Sequence, residues 1–98
     1  MPKRDPKFVE QIRNLRCLAC GSWPSEAHHV KSRGAGGGDD WFNLLPLCQG
    51  CHTQNGDGYA WHRGKILFLK NHPHVLEHLQ KLGWELIGDK LIRSQVDK

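Results

Sequence analysis

Four cysteines are the first residues of this chain that point to a particular chemistry. They form two Cys-x-x-Cys pairs, Cys17 with Cys20 and Cys48 with Cys51. This spacing is typical of a metal site rather than of a secreted disulfide framework. Four thiolates complete the tetrahedral shell of zinc and leave no open position, so the pairs predict a structural Zn²⁺. A redox Cys-x-x-Cys motif and disulfides are the alternatives, and the presence of two matched pairs disfavours both.

Histidines and an asparagine lie next to the cysteine pairs. His28 and His29 follow the first pair, Asn43 precedes the second, and His52 directly follows it. If the segment between the pairs folds back as a hairpin, these side chains come together. Phosphodiester hydrolysis needs a base to activate water and a cation on the phosphate oxygens. A neutral imidazole suits the first task, and imidazole with amide oxygens can hold a divalent metal for the second.

These residues resemble the HNH endonuclease motif with its flanking zinc knuckles. The resemblance rests on Ala27–Val30 (AHHV), a glycine-rich loop, and Asn43–His52 (NLLPLCQGCH). It extends from about Cys17 to His52 and includes all four cysteines. It implies a small α+β protein with a ββα-metal core, in which the helix begins near His52.

The resemblance also implies a role for each motif residue. His29 would be the general base, and His28 and His52 would be ligands of a catalytic divalent metal, either Mg²⁺, Mn²⁺ or a similar ion. Asn43 would orient the base or join the metal shell. Cleavage by members of the family leaves a 5′-phosphate.

One position departs from part of the family. Some relatives with a histidine at the first position of the motif place another metal histidine one helical turn after the last one, where this chain has Gly56. Glycine has no side chain to bind metal, so His62, water or Asn43 is expected to complete the shell. His62 lies between Trp61 and Arg63, and contact with phosphate is an alternative role for it.

Composition agrees with a small domain that acts on a polyanion. The chain has 98 residues, of which 38% are hydrophobic, and a net charge of +4. A core this small favours a structural metal, and positive charge favours a phosphate-rich partner. There is no apolar run of a signal peptide or of a membrane span, which predicts a cytoplasmic protein with no membrane partner. A bacterial or phage origin fits these features.

The remaining patterns predict the elements that position the motif in a single HNH nuclease domain over 1–98. We expect a core over about 17–62, an N-terminal helix over about 6–16, a C-terminal helix over about 73–82 and a frayed tail from about 89. Short strands are expected at Glu26–Val30, Leu44–Leu47 and Trp84–Ile87. Trp41, Trp61 and Trp84 are expected to pack in or around the core.

Two functions are open at this stage. The first is a metal-dependent endonuclease or nickase acting on DNA, double-stranded by preference. The second is a zinc-bound module on the same scaffold that binds nucleic acid without cutting it. A domain of this size has little surface for reading bases, so specificity would need a homodimer or a larger protein partner. The basic residues expected to contact DNA near the site are Lys31, Arg33, Arg63 and Lys65.

Overall fold

The computed structural model of the protein describes residues 2–93. The helices in this range are α1 (Pro6–Arg13), α2 (Lys65–Asn71) and α3 (Pro73–Lys81). The strands are β1 (Glu26–His29), β2 (Leu44–Leu47), β3 (Trp84–Ile87) and β4 (Lys90–Arg93). Two 3₁₀ turns span Arg33–Ala35 and Trp61–Arg63, and a turn of π-helix spans Gly50–Gln54. The small α+β architecture predicted from the sequence is confirmed, and none of the described helices is long and apolar enough to cross a membrane.

Helix α1 begins as its sequence predicts and ends earlier. The Asp5 carboxylate caps it by accepting the Phe8 N–H at 3.1 Å, and Pro6 occupies the first turn, where no backbone donor is needed. The predicted extent to residue 16 is too long, because the last helical residue is Arg13. The chain turns after Asn14, and this turn lets Cys17 enter the interior, where it is 4% exposed.

Strands β1 and β2 form the antiparallel hairpin that carries the motif. Glu26 lies opposite Leu47 and His28 opposite Leu45. The side chains of a strand alternate between faces, so Glu26 and His28 share one face and His29 takes the other. The backbone oxygen of Pro46 accepts the Leu18 N–H at 2.8 Å, which fastens the first cysteine pair to β2.

The helix expected near His52 is a single turn. It has π-helical hydrogen bonding and covers only Gly50–Gln54. It is followed by the run Asn55–Gly58, in which Gly58 has a φ of +81°. The turn ends at Asn55, whose backbone is extended (φ −66°, ψ 166°), and the left-handed Gly58 redirects the chain before the 3₁₀ turn at Trp61–Arg63.

A second hairpin closes the described part of the chain. Lys90–Arg93 pair with β3 as β4, so the expectation of a frayed tail from about 89 is wrong for these residues; 94–98 lie outside the described range. Gly88, with a φ of +65°, supplies the tight two-residue turn with Asp89. The Trp84 indole N–H donates to the Phe42 backbone oxygen at 2.7 Å, which ties this hairpin to the loop before β2.

The hydrophobic core lies between the first hairpin, α2 and α3. Of the three tryptophans expected to pack there, Trp61 and Trp84 are buried, at 5% and 6% exposure, whereas Trp41 is 55% exposed. The other buried members of the core cluster are Cys17, Leu45, Leu47, Cys51, Phe68, Leu69, Val75 and Leu79. Two cysteines thus lie inside the core itself, and a metal bound to them would reinforce it.

Candidate active site and metal centres

The four cysteines converge at one end of the β1–β2 hairpin. Their sulfur atoms all lie within 4.8 Å of one another, and Cys20 Sγ is 3.6 Å from Cys48 Sγ. A tetrahedral zinc with Zn–S bonds near 2.3 Å separates its sulfurs by about 3.8 Å. All four are free cysteines, so they are not joined as disulfides. The cluster therefore has the ligands and the spacing of a structural zinc site.

The surroundings of these thiols shift their pKa values in different directions. Burial raises the pKa of Cys20, but hydrogen bonds from the Ser22 side chain and backbone and from Cys48 and Cys51 outweigh it and hold that pKa at about 6. Burial raises the pKa of both Cys48 and Cys51. Cys20 thus favours its thiolate near neutral pH, and the other two depend on a bound cation to become thiolates.

Three histidines form a second cluster. His28 comes from β1, His52 from the π-helical turn and His62 from the 3₁₀ turn at Trp61–Arg63. Their ring centroids are separated by 5.0 to 5.3 Å, and a ligand nitrogen of each lies within 4.8 Å of the others. His62 thus supplies a third imidazole nitrogen to this cluster, which Gly56 cannot do.

His28 has the properties of a metal ligand. The residue is 1% exposed, and its Nε2 atom is buried without a hydrogen-bond partner among the described residues. Burial and the neighbouring His52, His62, His29 and Lys65 lower the pKa of His28 to about 2, so the ring is neutral. Burial and His52 also lower the pKa of His62. Neutral imidazoles with free lone pairs can bind a divalent metal, and the unpartnered nitrogen is the evidence that such an ion fits here.

Glu26 supports this cluster and is absent from the residues predicted by the motif. Its Oε1 lies 2.6 Å from His52 Nδ1, which leaves His52 Nε2 available as a ligand. Histidine ligands are commonly oriented by a carboxylate on their second ring nitrogen. The sequence does carry a signal for Glu26, since it precedes His28 by two residues and therefore shares its face of β1.

His29 lies on the opposite face of β1, in contact with a second carboxylate that the motif does not include. His29 Nε2 is 2.7 Å from Asp39 Oδ1, and the Asp39 side chain is 2% exposed. Burial raises the Asp39 pKa, but the Asp5 amide, the His29 ring and the Arg33 guanidinium together hold it below its usual value. The expected base therefore lies beside an ionised carboxylate.

Asn43 is buried close to this site, but its amide is bound to backbone. Its Oδ1 accepts the Lys31 N–H at 2.8 Å, and its Nδ2 donates to the Lys31 and Gly38 carbonyl oxygens at 3.0 and 2.9 Å. The expected direct contact with the base or the metal is therefore replaced by a contact with the loop after β1. Asn43 closes that loop, whose far end carries Asp39.

The four basic residues expected to contact DNA fall into two groups. Lys31 and Lys65 line one open cavity of about 670 Å³ beside Asn43. Arg33 and Arg63 instead form ion pairs, Arg33 with Asp39 at 3.3 Å and Arg63 with Asp57 at 3.2 Å. The structure therefore places two of the four cations together and directs the other two toward carboxylates.

Comparison with known proteins agrees with the motif. A family model described as HNH endonuclease matches residues 14–58, a range that contains both cysteine pairs and the β1–β2 hairpin. The chain is similar to a protein of Nostoc sp. named Anaredoxin, with 31% identity over 70 residues that cover 66% of this chain and 84% of the relative. No solved structure matches the chain. His62 and the N-terminal residues that contact Asp39 lie outside the matched range.

Proposed function

Because the chain belongs to the HNH endonuclease family, we propose that it is a metal-dependent endonuclease or nickase that hydrolyses phosphodiester bonds in DNA. The observation that carries this proposal is the unpartnered, buried Nε2 of His28 next to His52 and His62, one residue away from a histidine bound to a carboxylate. A module that only binds nucleic acid has no need for an imidazole buried without a partner, since that costs stability. The geometry therefore favours the enzyme over the non-catalytic binding module.

The three histidines would hold the catalytic metal. Three imidazole nitrogens prefer ions such as Mn²⁺, Ni²⁺ or Zn²⁺, whereas Mg²⁺ prefers oxygen ligands. When bound, the ion supplies positive charge to a phosphate oxygen and to the leaving oxygen. Burial keeps the His28 ring neutral and Glu26 keeps the His52 ring oriented, so both nitrogens are ready to bind.

His29 would act as the general base. It accepts a proton from the attacking water, whose oxygen bonds to phosphorus while the bond from phosphorus to the 3′ oxygen breaks. The leaving 3′ oxygen takes a proton from solvent, and the new strand end is a 5′-phosphate. Lys31 and Lys65 line one cavity beside Asn43, and they would contact phosphates that flank the cut.

The cysteine cluster would hold a structural Zn²⁺ that does not take part in the chemistry. Four thiolates leave no position for water or substrate, so this ion would stabilise the fold. It would fix the second cysteine pair, and with it the π-helical turn that carries His52.

The proposal is tested by incubating the zinc-loaded protein with supercoiled, linear and single-stranded DNA in a panel of Mg²⁺, Mn²⁺, Ni²⁺ and Zn²⁺. We expect Mn²⁺ or Ni²⁺ to convert supercoiled plasmid to the nicked or linear form. His29→Ala should lower the rate by at least about 100-fold, because general-base catalysis contributes 10²- to 10⁴-fold. His78→Ala removes an imidazole of α3 that belongs to neither the cysteine nor the histidine cluster, and it should cut at the wild-type rate.

Two results would contradict parts of this proposal. A shift of DNA mobility without strand breaks under every metal would refute the enzyme and identify a binding module. Unchanged cutting by His29→Ala would leave the enzyme in place and exclude His29 as its base. Sedimentation of the protein with and without DNA then shows whether it acts alone or as a homodimer.

A further inference from the structure

We propose that Asp39 is the positioning residue of the His29 base, and that residues Lys3–Asp5, here called the N-terminal arm, hold Asp39 in place. The inference rests on the proposed function and adds two components that lie apart from the three-histidine cluster. Asp39 would act through His29 alone.

His29 carries its ring hydrogen on Nε2. An ionised carboxylate can only accept hydrogen bonds, so the 2.7 Å contact with Asp39 Oδ1 requires the hydrogen to be on His29 Nε2. Arg33 Nε also approaches Nε2, but at 3.5 Å, the limit of a hydrogen bond. The short contact with a carboxylate is the stronger of the two and decides the tautomer. Nδ1 is then the nitrogen with a free lone pair, and it is the atom that would take the proton from water.

Asp39 is held by two hydrogen bonds to the N-terminal arm. Its Oδ2 accepts the Asp5 N–H at 2.9 Å, and its own N–H donates to the Lys3 backbone oxygen at 2.8 Å. One carboxylate oxygen therefore binds the arm and the other binds His29. These two contacts hold the carboxyl group in one orientation. With 2% of its side chain exposed, little water is available to replace either contact.

The N-terminal arm packs closely against the loop after β1. A Cβ atom added to Gly38 would lie 2.6 Å from Lys3 N and 2.9 Å from Lys3 O, both backbone atoms. Glycine at this position thus allows the arm to lie directly on the loop after β1. The arm lies outside residues 14–58, the range matched by the family model.

The effect of Asp39→Asn follows from this geometry. The carboxylate accepts from three donors, the Asp5 N–H at Oδ2 and the His29 Nε2–H and Arg33 guanidinium at Oδ1, whereas the amide has one oxygen for all of them. The Arg33 side chain is 51% exposed and can turn toward water, so Asp5 and His29 are the donors that compete for this oxygen. If the oxygen stays with Asp5, the amide nitrogen faces His29 Nε2 and donates to it, which moves the ring hydrogen to Nδ1. The lone pair needed for the base is then lost from the atom that faces water, as occurs when the carboxylate of a catalytic triad is changed to an amide.

The test compares Asp39→Asn with Asp89→Asn, the same chemical change at an exposed turn. Cleavage of a labelled DNA duplex with Mn²⁺ gives kcat and KM, and long-range ¹H–¹⁵N correlation spectra give the His29 tautomer. For Asp39→Asn we expect kcat to fall by about 10-fold or more with KM within about twofold, and the Nε2–H signature of His29 to be lost. Asp89→Asn should change neither readout.

The arm is tested by Gly38→Ala against Gly34→Ala, whose added methyl group meets only Ser32 Oγ at 4.0 Å. Gly38→Ala should lower kcat and broaden or shift the His29 signals, while zinc content stays at one per chain. Gly34→Ala should behave as the wild type.

The outcomes separate the two proposals. If the wild type does not cut DNA, the proposed function fails, and the tautomer of His29 in the wild type and Asp39→Asn still decides whether Asp39 sets it. If the wild type cuts and Asp39→Asn retains both kcat and the Nε2–H tautomer, the role of Asp39 is refuted and the function stands. A loss of kcat that only matches a loss of folded or zinc-loaded protein also refutes a positioning role.

Discussion

Replacing Glu26 by glutamine should weaken metal binding by the histidine cluster without altering any ligand. Glu26→Gln keeps the length of the side chain and lets its oxygen still accept from His52 Nδ1. It removes the negative charge that makes this 2.6 Å contact strong. The orientation of His52 and the basicity of its second nitrogen both depend on that charge.

The size of the effect follows from the type of hydrogen bond and from its exposure. A hydrogen bond to a charged group contributes about 1.5–3 kcal/mol and a neutral one about 0.5–1.5 kcal/mol. The Glu26 side chain is 46% exposed and the His52 side chain 19% exposed, so water screens the pair and the difference should lie at the lower end, about 1 kcal/mol. This corresponds to an increase in Kd of about fivefold.

The assay is a titration of Mn²⁺ into protein whose cysteine site is kept loaded with zinc, with free Mn²⁺ counted by electron paramagnetic resonance. Glu85→Gln makes the same change on the exposed side of β3 and should bind Mn²⁺ like the wild type. If Glu26→Gln and the wild type have the same Kd, the contact does not tune His52. If Glu85→Gln weakens binding equally, the effect is one of net charge, and the reasoning fails as well.

Three further predictions concern stability. Phe68→Ala should cost about 3–5 kcal/mol in urea unfolding, because the ring is fully buried, whereas Leu67→Ala, at 49% exposure, should cost less than about 1 kcal/mol; equal losses would contradict the assigned core. Burial, the neighbouring histidines and Lys65 keep the folded-state pKa of His28 at about 2 against about 6.5 when unfolded. The unfolded chain therefore binds more protons, and protein that has zinc on its cysteines but no metal on its histidines loses stability as the pH falls below about 6.5. Unfolding of wild type and His28→Gln, each with one zinc per chain, between pH 7 and 5.5 should show a shallower slope for the variant, and parallel slopes would argue against a neutral buried ring. Chelation of zinc, or Cys51→Ser, should abolish the cooperative thermal transition in circular dichroism, and a retained transition would show that the cysteines are not a structural staple.

The cysteine cluster could be predicted from sequence because each half of it is local. Two residues separate the members of each pair, and this spacing alone brings two sulfurs to one point. His28 and His52 could be placed together because His52 directly follows the second pair and His28 lies on the expected hairpin between the two pairs. His62 was one of several candidates, since its position depends on how the chain returns after Gly58, and no short-range pattern fixes that path.

Neither Glu26 nor Asp39 is predicted from the motif, and the reasons differ. Glu26 was within reach of strand alternation, which places it on the same face as His28. Asp39 had no such signal, because it meets His29 only after the nine residues between them, 30–38, have closed into a loop. That closure depends on Asn43 bonding to the backbone at both ends of the loop and on the arm covering Gly38.

The second hairpin was missed although its turn carries a recognisable pattern. Gly88-Asp89 between two short runs is a two-residue hairpin signal, and the φ of +65° at Gly88 is the conformation that such a turn requires. The run Lys90–Arg93 has charged ends and only two apolar residues, which made it resemble a solvated tail. Pairing with β3 makes it a strand, and this is a tertiary effect that intrinsic propensity does not contain.

Cys51 and His52 are consecutive residues of one short turn, and each belongs to a different cluster. A metal that binds the cysteines fixes this turn and so pre-arranges one ligand of the histidine site. The two sites are then thermodynamically linked, and occupancy of either one raises the affinity of the other by the same factor. Loading would follow an order, with the tighter, closed thiolate site filled first. A cell that runs short of zinc would therefore lose the proposed hydrolytic centre as well as the fold, even with the second metal in full supply.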